Sequence, residues 1–330
     1  MPQAIDAVVR DALRPTLVSG SFDACLPMPM RSTRRRLLKS ALPMAALGAL
    51  ASLADLAQAR NTSASAALRM PVLFIGHGSP MNALQDNEFT RFLRGWQARL
   101  PRPKAILMVS AHWLTPGATA VGVQANPKTI HDFGGFPKPL FDLQYPAPGA
   151  PQVARETAAL VHRAKVVSTE EWGLDHGSWS VLHHLYPAAD VPVFQLSIDY
   201  DQPAAFHHAI GRELAALRER GVLIVGSGNV VHNLRATDRV DGVVATASRP
   251  WAQAFDDAVK KALAQRDDIA LVDYQRLGRD AAATAVPTPD HYFPFLYALG
   301  ASDTLSEKAV SVFEGFQSGT LSMRCVQFGA

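Results

Sequence analysis

The stretch of residues 70–80, MPVLFIGHGSP, decides the fold. Its apolar run, residues 72–75, is typical of a buried strand, and the run stops abruptly at the Gly-His-Gly-Ser-Pro sequence that follows. Glycines on both sides of His77 let the backbone turn tightly and leave the imidazole at the carboxyl end of the strand. Open α/β sheets bind their ligands at that end. The stretch therefore predicts an α/β sheet with a functional histidine at its edge.

The same pattern recurs twice further along the chain. The run AILMVS of residues 105–110 leads into His112, and the run VLIV of residues 222–225 leads through Gly-Ser-Gly-Asn to His232. Three apolar strands thus each deliver a histidine just beyond their carboxyl ends. Neutral imidazole binds iron, zinc and other first-row ions, and ligands from several loops commonly build an open site. The repetition predicts one divalent metal site.

The remaining histidines divide into three groups. His291, in the DHYF sequence that opens a predicted last helix, joins His77, His112 and His232 as a candidate metal ligand. His176 and His131 lie in turns rich in Gly and aromatic residues, where a neighbouring acid, Asp175 or Asp132, would fix the ring tautomer and tune its pKa. The alternative for this second group is a turn-capping Asp beside a packing histidine. For the third group we expect solvated or packing roles on helices: His162, His183, His184, His207 and His208.

The composition is that of a globular chain with ample core. The chain has 330 residues, of which 48% are hydrophobic and 18% charged. Residues 1–59 hold seven Lys/Arg and four Asp/Glu, so the remaining chain carries 25 of each and is formally neutral. This balance argues against a nucleic-acid partner. The two cysteines, Cys25 and Cys325, are too few for a disulfide framework or a cysteine metal site in the mature chain.

Residues 1–59 have the parts of an export signal. Met28 or Met30 is a better start than Met1, because the charged string STRRRLLK and a moderately apolar run at 41–54 follow, with Ala-Gln-Ala at 57–59. The paired arginines resemble a twin-arginine signal. A membrane anchor or an amphipathic helix is the alternative, although the run is short and rich in Ala and Gly for a membrane span. We expect cleavage after Ala59, export of the folded protein by the twin-arginine machinery, and a periplasmic catalytic domain of residues 60–330.

Strands and helices alternate through the rest of the chain. Helices are predicted near residues 86–100, 151–163, 171–187, 203–219 and 249–264, and further strands near 118–123, 191–198, 309–314 and 320–328. This alternation predicts a single three-layer α/β domain with a mostly parallel central sheet flanked by helices. A long loop, residues 128–149, is rich in Gly, Pro and aromatic side chains. We expect it to form a lid or a pocket wall rather than a linker.

The sequence does not contain the motifs of several other enzyme classes. The sequence has no G-x-S-x-G nucleophile elbow, because Ser79 and Ser178 have His two residues before them. It also has no P-loop, no H-E-x-x-H and no G-x-G-x-x-G. The turn Gly226-Ser227-Gly228 is only a weak indication of an anion site. Serine hydrolysis, phosphoryl transfer and hydride transfer are therefore disfavoured.

Six motifs, in order from about residue 70 onward, resemble one family. They are GHGSP at 76–80, SAHW at 110–113, TIHDFGGFP at 129–137, LDHGSW at 174–179, GSGNVVHNLR at 226–235 and DHYFP at 290–294. Together they resemble the DOPA 4,5-dioxygenase type of extradiol ring-cleaving enzyme, in the class III superfamily of catalytic B subunits.

The resemblance implies a non-haem metal held by His77, His112 and His291, with His232 as a fourth ligand or the acid/base and His176 as a second active-site histidine. Fe(II) is the expected ion and Zn(II) the alternative. Extradiol enzymes generally use two histidines and a carboxylate. Asp290 is a candidate for that carboxylate, although we favour it as the N-cap of the final helix.

These features together predict cleavage of a DOPA-like catechol next to its diol, using O2. The metal would bind the diol, and His176 or His232 would remove a phenolic proton and later return one. We expect an aromatic pocket wall: Trp113, Phe133, Phe136, Trp179 and Tyr292. The rival functions are a metal-binding protein similar to chelatases and a metal-dependent hydrolase. The motifs TIHDFGGFP and LDHGSW discriminate against a chelatase, which does not need them.

Overall fold

The computed structural model describes residues 69–237, 247–278, 280–302 and 306–329, which belong to the compact unit Ala67–Ala330. The predicted export signal lies outside the described residues. Ten strands form an eight-stranded sheet and a small hairpin: β1 Val72–Gly76, β2 Ala105–Thr115, β3 Thr119–Gly122, β4 Val166–Thr169, β5 Val193–Asp199, β6 Val222–Gly228, β7 Ala309–Phe313, β8 Phe316–Gln317, β9 Leu321–Ser322 and β10 Cys325–Phe328. In the large sheet the order is β4-β3-β5-β2-β6-β1-β10-β7.

The centre of the large sheet is parallel. The four adjacent strands β5, β2, β6 and β1 pair in parallel with one another, whereas β10 and β7 add an antiparallel edge beside β1. On the other side β3 pairs antiparallel with β5 and parallel with β4. Because the central strands run in one direction, the carboxyl ends of β1, β2 and β6 meet at one edge of the sheet.

Helices cover both faces of this sheet. They are α1 Glu88–Gln97, α2 Lys138–Asp142, α3 Pro151–Leu160, α4 His176–Leu185, α5 Ala204–Leu214, α6 Pro250–Gln265, α7 Asp268–Val272, α8 Ala281–Ala285 and α9 Phe293–Ala301. One buried apolar cluster joins one face to α5, α6 and α9, and a second joins the opposite face to α1 and α4. The predicted three-layer, mostly parallel α/β fold is confirmed. Among the described residues, no helix is long and apolar enough to cross a membrane.

The structure corrects three details of the predicted elements. The helix predicted over 203–219 ends at Leu214 and continues as a 3-10 helix, Ala215–Arg220. Strand β4 was not predicted from its sequence. Strand β2 does not stop at Ser110 but continues through His112, and its register with β5 shifts between Val109 and Leu114. Such an irregularity re-aims the side chains of a strand.

Two glycines bring the start of α9 against β6. A Cβ at Gly226 would lie 2.2 Å from the carbonyl oxygen of Pro294, and one at Gly228 would lie 2.2 Å from that of His291. Asn229 donates its backbone N–H to the same His291 oxygen at 2.9 Å. The Gly-Ser-Gly sequence is therefore required for close packing, which carries His291 to the carboxyl ends of the central strands.

Candidate metal centre and active site

Five histidines line one cavity of about 680 Å³ at this edge of the sheet: His77, His112, His176, His232 and His291. All the predicted site residues are thus brought together. Two sets of three residues each have ligand atoms within 4.8 Å of one another: His77, His112 and His176, and His232, Asp290 and His291.

His77 is oriented by a hydroxyl from the neighbouring strand. Its Nδ1 lies 3.0 Å from the Oγ of Ser227, and that Oγ lies 2.5 Å from the carbonyl oxygen of Gly177. Because the hydroxyl donates its hydrogen to the carbonyl, it accepts from His77 Nδ1–H. This leaves Nε2 of His77 unprotonated and available as a ligand.

His112 presents the same nitrogen to the same place. Its Nδ1 lies 3.4 Å from Oδ2 of Asp132, which favours a proton on Nδ1, and its Nε2 lies 3.2 Å from Nε2 of His77. Two unprotonated nitrogens facing each other repel unless a cation lies between them. Imidazole nitrogens bind zinc at about 2.0–2.1 Å, so two neighbouring ligands of one ion lie about 3 Å apart. The pair therefore fits a divalent metal ion.

His291 completes a triangle with this pair. The ring centroids of His77, His112 and His291 are 5.0–5.3 Å apart, and Nδ1 of His291 donates to Oδ2 of Asp290 at 2.5 Å. Nε2 of His291 is thus the free ligand atom. Our N-cap interpretation of Asp290 is wrong, because Tyr292 occupies the N-cap of α9. Asp290 instead orients His291.

His232 lies flat against His291. The two rings stack with centroids 3.4 Å apart and planes within 4° of parallel. A metal ion sits close to the plane of the imidazole that binds it, since the nitrogen lone pair lies in that plane. Two parallel planes at this separation do not share one ion. In this arrangement His232 and His291 are not joint ligands, and His232 lies beside the candidate centre.

His176 is held by the pocket loop, residues 128–149. Asp132 accepts its Nδ1–H at Oδ2 and its backbone N–H at Oδ1, both at 2.9 Å. Asp175, the other candidate acid, caps α4 by accepting from Ser178 N, and it also bonds Ser110 and Gln195. Asp132 therefore orients His176, whereas Asp175 anchors the helix that begins with it.

The electrostatics of the cluster suit a cation. Burial, followed by repulsion from neighbouring imidazoles, holds the pKa of His77 and of His112 well below the ordinary value of 6.5. Burial likewise lowers the pKa of His232. Burial opposes ionisation of Asp132 and Asp290, but hydrogen bonds from His176 and His291 outweigh it and lower the pKa of both carboxyls. Neutral imidazoles backed by ionised carboxylates form a site that attracts a divalent ion.

The pocket wall contains fewer aromatic residues than predicted. Phe133 and Phe136 line the cavity. Trp113, Trp179 and Tyr292 do not: Trp113 stacks on Trp172, Trp179 donates to the Ile130 carbonyl, and Tyr292 donates to the Leu271 carbonyl within the core. Those three aromatic side chains are fully buried packing residues, which corrects the prediction.

The structure assigns His131 a packing role. Its Nε2 bonds the Leu143 carbonyl at 3.0 Å, and its ring packs on Trp179. It therefore braces the pocket loop rather than the metal centre.

Sequence reasoning missed two residues that support the site. Ser227 was noted only as part of a Gly-rich turn, although a polar residue between two packing glycines is a usable signal. Gln317 accepts from Ser79 N at 2.7 Å and from Asn82 Nδ2 at 3.3 Å, so it fixes the turn that follows His77. Nothing in the local sequence of Gln317 indicates this contact, because its partners lie more than 230 positions away.

Comparison with known proteins agrees with this geometry. Residues 71–322 match the family described as the catalytic LigB subunit of aromatic ring-opening dioxygenase. An Escherichia coli K12 protein named 4,5-DOPA dioxygenase extradiol is 49% identical over 265 residues, which cover 79% of this chain and 95% of that protein. A Beta vulgaris protein of the same name is 37% identical over 261 residues, covering 77% of this chain and 95% of that protein.

A solved structure is similar to this chain over most of its length. A crystal structure of an Escherichia coli K12 protein, titled as uncharacterized, aligns with a TM-score of 0.68 at 44% identity and covers 79% of this chain and 100% of that one. Because the family match spans most of the sequence and includes every histidine of the cluster, the chain belongs to the LigB family of aromatic ring-opening dioxygenases and is an extradiol enzyme.

Proposed function

We propose that this dioxygenase opens the ring of a catechol with O2 at one divalent metal ion held by His77, His112 and His291. The observation that carries the proposal is the 3.2 Å approach of Nε2 of His77 to Nε2 of His112, each ring having its Nδ1 engaged elsewhere. Fe(II) is the proposed ion, and Zn(II) is the alternative that an all-imidazole set also accepts. A bound ion of this kind would lower the pKa of a catechol hydroxyl and provide the site at which O2 reacts.

Two further histidines are proposed to move protons. His176 donates its Nδ1–H to Asp132, which leaves Nε2 as its proton acceptor on the cavity side. His232 lines the same cavity, and burial keeps its ring neutral near pH 7 because it lowers the pKa. Either ring is placed to accept a phenolic proton. Removing a positioned acid/base typically slows a reaction by about 10²–10⁴-fold.

The substrate proposed is a catechol with a side chain that has no net negative charge. The cavity is lined by apolar and neutral polar side chains in addition to the histidines, and among the described residues none of those that line it is Asp, Glu, Lys or Arg. The two related proteins named for 4,5-DOPA make DOPA the first compound to test. An anionic side chain buried without a partner is disfavoured by desolvation.

Two rival functions, chelatase-like metal binding and metal-dependent hydrolysis, lack comparable support. The family match and the names of the relatives favour ring opening over both. Phe133 and Phe136, from the motif that a chelatase does not need, line the cavity in which a ring would sit.

Anaerobic reconstitution tests this proposal. The metal-free protein is loaded with Fe(II) or Zn(II) under anaerobic conditions and then mixed with DOPA, 4-methylcatechol or protocatechuate in aerated buffer, and O2 uptake and ring-opened product are followed. We expect turnover with Fe(II), with the two compounds of no net negative charge preferred over protocatechuate. No O2 uptake with any catechol and a fully loaded protein would refute the proposal.

Export through the twin-arginine route is a separate proposal, based on the signal at residues 32–59. We expect the exported protein to begin at Arg60 and to be periplasmic. Changing Arg34 and Arg35 to Lys should leave the precursor in the cytoplasm. An exported protein whose N-terminus lies upstream of Arg34 would contradict the proposal.

A further inference from the structure

Asp132 contacts two different histidines of the cluster. Its Oδ2 accepts from Nδ1 of His176 at 2.9 Å and lies 3.4 Å from Nδ1 of His112, while its Oδ1 accepts from the backbone N–H of His176. The two rings are 3.8 Å apart. The carboxylate of Asp132 thus lies next to both a proposed metal ligand, His112, and a proposed proton acceptor, His176.

The tautomer of His112 depends on this contact. The polar contact of Nδ1 of His112 is with Oδ2 of Asp132, at 3.4 Å. If that proton moved to Nε2, the nitrogen that faces His77 would become a donor and would no longer bind a metal ion. Outer carboxylates commonly fix ligand histidines in this way.

Asp132 belongs to a segment that meets both the cavity and open space. The next residue, Phe133, lines the cavity, and its ring lies 5.5 Å from His176 and 5.2 Å from Phe136. A Cβ at Gly134 or Gly135 would meet nothing within 4 Å. A ring bound in the cavity would therefore press on Phe133, the residue adjacent to Asp132, while the two glycines that follow border open space.

We propose that Asp132 is a positioning residue that ties the orientation of His112 and His176 to the pocket loop, so that substrate seated against Phe133 sets both imidazoles together. The 3.4 Å separation from His112 exceeds the usual N–H···O range of about 2.7–3.2 Å. The carboxylate therefore has room to move closer to His112 when substrate presses on Phe133. The substrate part of this inference rests on the proposed function, whereas the metal part does not.

Asp132→Asn tests the metal part. The amide keeps the size of the side chain but replaces one acceptor oxygen with an NH2 donor, which then faces either the backbone N–H of His176 or the two Nδ1 groups at Oδ2. We expect the metal-free variant to bind Co(II) or Zn(II) about 10–100-fold more weakly, with an altered Co(II) absorption spectrum, and to show a cooperative thermal transition, which establishes that it is folded. Asp132→Glu should restore part of the affinity. The matched control is Asp142→Asn, an exposed residue of the same loop that pairs with Lys138. Equal affinity in Asp132→Asn and Asp142→Asn would overturn the inference.

Phe133→Leu tests the coupling. In the wild-type background, Phe133→Leu should lower kcat for a catechol. In the Asp132→Asn background the same change should lower kcat by a much smaller factor, because the connection from Phe133 through Asp132 to the histidines is already lost. Additive losses would overturn the coupling. If the wild type turns over no catechol, the proposed function fails, while the metal titration still tests Asp132.

One measurement needs no variant at all. Imidazole ¹⁵N shifts of the Zn(II)-loaded wild-type protein should give the Nδ1–H form for His112 and for His176. The Nε2–H tautomer at His112 would overturn the inference.

Discussion

Two histidines of the cluster, His77 and His112, are oriented in different ways. His77 leaves the end of β1 and is held by Ser227, a fully buried hydroxyl on the paired strand β6. His112 lies at an irregular part of β2 and is held by Asp132, a carboxylate from a long loop whose side chain is 14% exposed. The strand anchor, Ser227, is neutral and fixed by the sheet. The loop anchor, Asp132, is charged but lies 3.4 Å from Nδ1 of His112, beyond the usual hydrogen-bond range, whereas Ser227 lies 3.0 Å from Nδ1 of His77. The sheet therefore sets the orientation of His77, whereas the orientation of His112 depends on where the loop places its carboxylate.

The largest expected effect is the loss of the ligands themselves. His77→Ala and His112→Ala should each remove the metal and all activity, because each deletes one of two facing nitrogens. Metal content by elemental analysis and O2 uptake measure this. Stoichiometric metal with near-normal turnover in either variant would show that the assigned pair does not form the centre.

The next largest effect separates the ligands from the proton acceptors. His176→Ala should keep its metal and turn over about 10²–10⁴-fold more slowly, since His176 is proposed to hold a proton rather than the ion. His232→Ala should likewise keep the metal, because its ring is parallel to that of His291. Single-turnover rates measured beside metal content test both variants. Loss of metal from His232→Ala, with the metal retained in His291→Ala, would show that His232 is the ligand and His291 is not.

Ser227→Ala examines the strand anchor directly and should have a smaller effect. The change removes the acceptor of His77 Nδ1–H but leaves the ring packed, so we expect metal affinity to fall by about 10-fold, at the low end for outer contacts. Ser180→Ala is the control, since Ser180 is also buried and its hydroxyl has no hydrogen-bond partner among the described residues. A larger loss of metal affinity in Ser227→Ala than in Asp132→Asn would show that the strand anchor contributes more to metal binding than the loop anchor.

The smallest expected effect is on the stability of the metal-free protein in mild acid. Well above pH 6.5 the rings of His77 and His112 are neutral in both the folded and the unfolded chain, so they add no pH dependence. As the pH falls below 6.5, the ordinary pKa, the unfolded chain binds protons that the folded chain cannot, because burial lowers the pKa of His77 and His112. The free energy of unfolding should therefore decrease.

Urea titrations at about pH 7.5 and about pH 5.5 measure this decrease. His77→Gln should remove more of it than His112→Gln, since His77 is more deeply buried: His77 is 2% exposed, whereas the side chain of His112 is 20% exposed. Equal midpoints for the wild type at the two pH values would contradict the expectation.

The sequence allowed the sheet and the histidines to be predicted, but not how the histidines are held. His77, His112 and His232 follow apolar runs with period and length typical of strands, and these are local signals. The role of Asp290 was mistaken because a carboxylate just before a helix is typical of an N-cap, whereas the helix begins three residues later. The two anchors depend on contacts between distant segments: Ser227 lies 150 positions from His77, and Asp132 lies 44 positions from His176. Burial of Trp113, Trp179 and Tyr292 also depends on packing that single residues do not reveal.

The pairing of β1 with β10 has a consequence for how the chain folds. Val72 faces Phe328, and Ile75, two residues before His77, faces Cys325. During synthesis the first strand of the sheet therefore waits for about 250 further residues before this neighbour emerges from the ribosome, and such distant contacts slow folding. Gly76 also donates its N–H to the carbonyl oxygen of Arg324, so the turn that carries His77 closes only after Arg324 has been added to the chain. A nascent chain that ends before Arg324 would have the histidine motifs but not these contacts of β1.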